Sequence, residues 1–156
     1  MSLETKTNLS AESISHLQDL IQSNIDSKDG FHESAEEIKD ERIAALFRQI
    51  AAVRAKNADE LQGLVALNNE EPVERGSIAA AVHRTWIDIR GKITGGDNAN
   101  ILAEAARGEE SIVEQYEEAV KGDPGSAISD VLHRQLAEVK AHSDQIHDLH
   151  KAYAAA

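Results

Sequence analysis

Residues Glu71–Gly96 read EPVERGSIAAAVHRTWIDIRGKITGG, a composition unlike the rest of the chain. They hold the single Trp (Trp86), one of the two prolines (Pro72) and four of the nine glycines (Gly76, Gly91, Gly95 and Gly96). Glycine and proline both weaken a helix interior. This stretch therefore divides two long helical patterns, each of which carries one brief break of its own. The chain reads as a hairpin over 10–69, a crossover over 70–96 and a second hairpin over 97–153, all in one domain of 156 residues. A short link makes two helices antiparallel neighbours, so the pattern predicts an all-α, up-down four-helix bundle. Within the crossover, Ser77 starts a short amphipathic helix bearing Ile78, Val82, Trp86, Ile89 and Ile93. This helix is expected to be a lid on the bundle or a docking face for a partner.

Working outward, the first hairpin begins at Ser10, a residue suited to N-capping. Ile14, Leu17, Ile21, Phe31 and Ile38 follow at steps of three and four, with Asn24 and Lys28 filling the same series. Gly30 inside the pattern costs about 1 kcal/mol relative to Ala. It marks a place where the helix bends or a neighbour comes close. Asp40 is the expected cap of the second helix, which runs from about Glu41 to Leu67. Its stripe is Ile43, Phe47, Ile50, Arg54, Asn57, Leu61 and Leu64, with Glu60 on its flank. Two adjacent members of that stripe are polar.

The second hairpin starts at Asp97. Its first helix presents Leu102, Ala105, Glu109, Ile112, Tyr116 and Ala119, with Gly108 thinning the surface beside Glu109. Gly122-Asp123-Pro124-Gly125 is a turn. The last helix is expected from about Ser126 to Tyr153, with the stripe Ile128, Leu132, Gln135, Val139, His142, Ile146 and Leu149, and Glu138 flanking both polar members. All four stripes are broken near their middles. Counted from the turns, the breaks fall at one height and predict a polar layer of Asn24, Asp26, Arg54, Asn57, Glu60, Glu109, Glu138 and His142. Polar groups buried without partners cost about 1–3 kcal/mol each, so such a layer has to be internally satisfied. Arg54 is expected to pair bidentately with Glu109 or Glu138.

Composition narrows the function classes. Hydrophobic residues make up 41% of the chain but aromatics only 3%, which suits closely packed aliphatic helices. The net charge of −12, with Arg and Lys dispersed, argues against nucleic-acid binding. No cysteine is present, which excludes disulfides, thiolate metal sites and Cys nucleophiles. No apolar run is long enough to span a membrane. The segment MSLETKTNLS lacks the apolar core of a signal peptide, so the expected location is cytoplasmic. Gly95-Gly96 does not continue into a phosphate-loop pattern. Nothing assembles a Ser/His/Asp triad. His147 and His150, one turn apart near the chain end, suggest at most a surface zinc site. Alanine on the outer faces suits self-association, with a homo-oligomer, a dimer for instance, as the expected partner.

Two hairpins joined by a long crossover, with carboxylates and His at mid-height, resemble the ferritin-like arrangement, in which Glu and Glu-x-x-His residues hold two metal ions. The chain is also similar to the PA2169-family four-helix-bundle proteins, a bacterial domain family. That resemblance is carried by Ala35-Glu36-Glu37-Ile38-Lys39-Asp40, Gly76-Ser77 with Val82-His83-Arg84-Thr85-Trp86, Thr94-Gly95-Gly96-Asp97, and Arg107-Gly108-Glu109-Glu110 with Tyr116-Glu117-Glu118-Ala119. It implies a ferritin-like bundle and no established reaction. The metal pattern itself is incomplete. Asn57-Ala58-Asp59-Glu60 stands where Glu-x-x-His belongs, and Glu138 and His142 are four residues apart rather than three. The expected function is a non-catalytic bundle in which Arg54 takes the electrostatic place of a metal. Two alternatives stand beside it. One is a degenerate Fe, Mn or Zn site using Glu109, Glu138, His142, Glu60 and Asp26. The other is an adaptor that docks a partner through the crossover helix.

Overall fold

A computed structural model of the chain describes residues 4–74, 98–122 and 126–155. The crossover helix expected around Trp86, the cap expected at Asp97 and the turn expected at 123–125 fall outside the described residues. Four helices account for most of the rest: α1 (Ala11–Glu37), α2 (Glu41–Leu67), α3 (Asn98–Gly122) and α4 (Ser129–Ala155). No helix among the described residues is long and apolar enough to cross a membrane.

Capping explains the helix bounds. Ser10 Oγ accepts from Ser13 N at 3.1 Å and opens α1. Asp40 Oδ1 accepts from Arg42 N at 2.9 Å and Ile43 N at 3.3 Å and opens α2. Both satisfy backbone donors that a helix start leaves unpaired. α2 ends at Asn68, followed by Asn69 at φ 59°, a left-handed conformation that Asn tolerates. The Asn68 side chain holds the chain start in place, accepting from Leu9 N at 2.8 Å and donating to Lys6 O at 2.9 Å. α4 starts at Ser129, later than the Ser126 expected from sequence. Ser126 instead turns into the helix, and its hydroxyl donates to Glu4 Oε1 at 2.5 Å. Glu4 also accepts from Ser10 N and Ser13 Oγ, so one carboxylate ties the starts of α1 and α4 together. Burial pulls the Glu4 carboxyl upward, but hydrogen bonds from Ser126, Ser10 and Ser13 outweigh it and leave the group below its usual range.

The contacts at the helix ends fix the topology. Lys39 N donates to Asn98 Oδ1 at 3.1 Å, so α3 enters beside the α1–α2 turn. Gly122, at the other end of α3, lies against the His16 ring near the start of α1. Tyr153, near the end of α4, donates to Asp40 Oδ2 at 2.6 Å. Helices α2 and α3 therefore run parallel. The connection between Leu67 and Asn98 joins opposite ends of a bundle about 40 Å long. Its first residues are held by side-chain amides: Gln18 bonds Glu71 O and Val73 N, and Gln62 bonds Val73 O, each at 2.8 Å.

The principal packed pairs are α1–α2, α3–α4 and α1–α3. The core falls into two apolar clusters. One holds Leu17, Ile21, Leu61, Ile112, Tyr116 and Leu132 at the end where α1 starts. The other holds Phe31, Ile43, Phe47, Ile50, Leu102 and Ile146 at the end where α2 starts. Phe31 and Phe47 meet edge to face with centroids 5.1 Å apart. Every residue of the stripes read for α2 and α3 is buried. On α1 the stripe is wider than read, with Leu20 and Ile25 also buried, while Lys28 is half-exposed and ion-pairs with Asp29 at 3.6 Å. The ammonium has to reach water, which the interior series denies it. Gly30 is buried in an unbroken helix.

Phe47→Ala is expected to destabilise the fold by about 3–5 kcal/mol, because it opens a cavity under Phe31 in a fully buried cluster. Urea unfolding followed by circular dichroism measures this. A loss under 1 kcal/mol would contradict the packing described.

Candidate functional site

The two apolar clusters are separated by a polar level. On α2 the apolar series stops at Ala51 and resumes at Ala58, with Arg54 and Asn57 between. On α3 it stops at Ala106 and resumes at Ile112, with Glu109 between. Arg54 is 0% exposed and Glu109 1% exposed. Arg54 Nη1 donates to Glu109 Oε1 at 3.2 Å and Nη2 to Oε2 at 2.7 Å. This is the fork-to-fork geometry in which guanidinium and carboxylate bind most strongly. The pair joins α2 to α3 across the interior, between helices that are not principal packing neighbours. Only a long side chain makes that reach. Phe31 covers the guanidinium with its ring centroid 6.0 Å from Cζ, within cation–π range.

Burial pushes the Glu109 carboxyl up to about 6, even though the charge and hydrogen bonds of Arg54 pull it down. Guanidinium and carboxylate approach to 2.7 Å, the contact distance of an ion pair. Gly108 does not bring a neighbour close at this level. A Cβ there would meet nothing within 4 Å, since the residue is exposed at the groove between α1 and α3.

About two turns further along α2 and α3 lies a hydrogen-bond chain that crosses all four helices. Asn24 Nδ2 on α1 donates to Leu20 O and to Tyr116 Oη on α3, both at 2.8 Å. Tyr116 Oη donates to Gln135 Oε1 on α4 at 2.7 Å. Gln135 Nε2 donates to Glu60 Oε1 on α2 at 2.8 Å, and Arg134 Nη2 closes the chain on Glu60 Oε2 at 2.5 Å. From Asn24 through Tyr116 to Gln135 the donors run in one direction and end on the Glu60 carboxylate, so each bond polarises the next. Arg134 and Gln135 hold Glu60 below its ordinary range. Burial raises the Tyr116 phenol to about 12, which keeps it a donor.

The eight residues read as one layer divide into two sets. Asn24, Arg54, Asn57 and Glu109 are buried. Asp26, Glu60, Glu138 and His142 are half-buried at its rim. Asp26 lines a groove of about 620 Å³ between α1 and α3, where burial and the nearby Asp29 raise its carboxyl to about 6. Burial lowers the His142 imidazole, Arg54 adds to the effect, and Glu138 partly opposes it. His142 Nδ1 is buried with no partner. Sequence reasoning placed Gln135 and Tyr116 on the inward stripes but left them out of the layer, which the Tyr116 hydroxyl and the Gln135 amide link together. The signal was available: a phenol on an interior stripe requires a partner, and Gln135 stood on the facing stripe.

Glu109 is occupied by Arg54, Glu60 by Arg134 and Gln135, and Asp26 faces the α1–α3 groove. Among the described residues, no three Asp, Glu or His side chains come together in a way that could hold a metal ion. His147 is also committed. Its Nδ1 lies 2.8 Å from Ser143 O and its Nε2 2.8 Å from Glu110 Oε1, contacts that raise its pKa.

These features define a four-helix bundle with a buried ion pair at mid-height. The chain matches the family described as Domain of unknown function (DUF2383) over residues 12–122, and it belongs to that family. The match covers Asn24, Arg54, Glu109 and Tyr116, and ends before α4, which brings Gln135. No curated protein matches the chain.

Three predictions follow from this geometry. Arg54→Met should cost about 3 kcal/mol and Glu109→Leu about 4–5 kcal/mol, with the double variant costing far less than the sum. The asymmetry arises because a lone carboxyl can take up a proton, whereas a lone guanidinium has no neutral form to adopt. Urea titrations of the four proteins test this, and additive losses would contradict the pairing. Tyr116→Phe should cost about 1–3 kcal/mol, because it strands Gln135 Oε1 in the core. Thermal unfolding checks that value. The third concerns Asp26, whose folded pKa is raised, so the folded state holds its proton more tightly than the unfolded chain. Its ionisation therefore destabilises the fold as pH rises through about 6. Asp26→Asn should raise the melting temperature by about 2–4 °C at pH 7.5 and leave it unchanged near pH 4. Scanning calorimetry at both pH values measures the difference.

Proposed function

We propose that this protein is a non-catalytic, ferritin-like helical bundle, related to the PA2169-family proteins. In this reading an ion pair and hydrogen-bond chain take the interior level that a di-metal site occupies in ferritin-like proteins. One observation carries the reading: the fully buried, two-bond pairing of Arg54 with Glu109. A guanidinium repels a metal cation and supplies the positive charge that the carboxylate requires. The parallel course of α2 and α3, joined end to opposite end, supports the ferritin-like topology. The layer's role is to set helix register and pairing, the best-attested use of buried polar groups.

A second reading, a degenerate Fe, Mn or Zn site, is favoured by one feature. His142 is a half-buried imidazole with a lowered pKa and an unpartnered Nδ1, beside Glu138. Neutral imidazole is a good ligand for these metals. The two readings separate experimentally. Protein purified without chelator should carry no stoichiometric metal, and its melting temperature should not move on addition of Fe(II), Mn(II), Zn(II) or EDTA. Stoichiometric metal, lost in His142→Ala together with a stabilising shift, would establish the second reading in place of the first.

A further inference from the structure

The seam between α3 and α4 carries two ionic rungs. Lys140 Nζ on α4 meets Glu117 Oε1 on α3 at 3.3 Å, and His147 Nε2 on α4 meets Glu110 Oε1 on α3 at 2.8 Å. On each helix the two residues stand about two turns apart, so the rungs repeat one geometry along antiparallel helices. They differ in chemistry. A lysine ordinarily keeps its charge far above neutral pH, whereas an imidazole changes charge within the physiological range. We infer that His147 is an imidazolium that fastens α3 to α4 only while it holds its second proton, a pH-sensitive tie at the end of the bundle where α3 starts and α4 finishes.

The ring contacts carry this assignment. Nδ1 lies 2.8 Å from the Ser143 carbonyl oxygen, one turn back along α4, and Nε2 lies 2.8 Å from the Glu110 carboxylate. The Ser143 hydroxyl, which could donate, stands farther from Nδ1 at 3.4 Å. A carbonyl oxygen and an ionised carboxylate only accept, so both ring nitrogens have to donate. A neutral imidazole has one N–H. In either tautomer its other nitrogen would set a lone pair against an acceptor oxygen. The doubly protonated ring satisfies both contacts. The same contacts raise the imidazole above its ordinary range, the Ser143 carbonyl most and the Glu110 carboxylate next, against a smaller opposing effect of burial.

The charges around the ring agree in sign. Glu110 and Glu109 on α3 and Asp144 on α4 are the carboxylates that interact with it. The cations on the neighbouring helices are committed elsewhere: Arg107 on α3 to Glu104 at 3.1 Å, and Arg54 on α2 to Glu109 at 2.7 Å. The folded state holds the His147 proton more tightly than the unfolded chain. The stabilisation is therefore complete below the ordinary imidazole pKa and is lost as pH rises through the raised, folded one. The His147 and Glu110 side chains are 32% and 61% exposed, so water and salt screen the tie and its effect is modest and local.

Nitrogen-15 NMR of the histidine rings in the full chain tests the assignment. The His147 titration midpoint should lie above the ordinary value of about 6.5, and it should fall toward that value in Glu110→Gln. A midpoint at or below the ordinary value, or one unmoved in Glu110→Gln, would overturn the inference. Thermal unfolding supplies a second measurement, with the lysine rung as its control. Glu110→Gln should lower the melting temperature by about 1–3 °C at pH 6 and leave it unchanged at pH 9. Glu117→Gln should lower it equally at both pH values. An equal loss for Glu110→Gln at pH 6 and pH 9, or the same pH dependence in both variants, would also overturn it. Both substitutions change partly exposed carboxylates outside the apolar clusters, so neither disturbs the core.

Discussion

The bundle depends on a guanidinium and a carboxylate that have both left water. Taking either charge into an apolar interior alone costs several kcal/mol, and only their mutual approach with well-directed hydrogen bonds offsets that. Arg54 and Glu109 meet this condition with two parallel bonds, and each is nearly or fully excluded from solvent. Compared with an apolar pair of the same volume, such a pair adds little stability. What it adds is intolerance of error. If α2 slid one turn against α3, the guanidinium would face an aliphatic cluster and the carboxylate another. The penalty for that slip is far larger than for sliding one aliphatic stripe along another. Aliphatic stripes as uniform as these, poor in aromatics, discriminate weakly between registers by shape alone.

The hydrogen-bond chain about two turns away extends the same constraint to the remaining helices. It begins at Asn24 on α1, passes through Tyr116 and Gln135, and ends on Glu60, whose carboxylate stands at the rim beside Arg134. A chain of neutral groups ending on a charge orients every donor, so Asn24 and Gln135 are each held in one amide orientation. The bundle ends have their own locks. Glu4 gathers the starts of α1 and α4, and Tyr153 reaches Asp40 at the opposite end. The carboxylate at each end therefore receives donors from two elements distant in sequence.

Much of this was legible in the chain. The spacing of Ile43, Phe47, Ile50, Leu61 and Leu64 determines a helix and its buried face, because helical periodicity depends only on local geometry. Ser10 and Asp40 determine where α1 and α2 begin, because a cap acts within its own first turn. Arg54, Asn57 and Glu109 stand out as polar residues on apolar stripes, and counting from the turns places them at one height. Asp26, Glu138 and His142 looked equivalent to them, yet lie at the rim. A helix turns 100° per residue, so a stripe position predicts a face but not the depth that neighbouring helices leave to it.

Tertiary structure alone decided the partners. Arg54 had two acceptable carboxylates, Glu109 and Glu138, and the choice follows from which helix stands opposite α2 at that height. The Asn24–Tyr116–Gln135–Glu60 chain joins residues up to 92 positions apart in the sequence, which no local pattern encodes. Glu4 was equally silent in the sequence, because its donors, Ser13 and Ser126, gather only when the two hairpins pack. By itself the chain determines four helices, their inward faces and a polar level between two apolar blocks. Which charge meets which, and whether a carboxylate is left for a metal, is set by the three-dimensional arrangement, because hydrogen-bond strength falls off within a fraction of an ångström and a few tens of degrees.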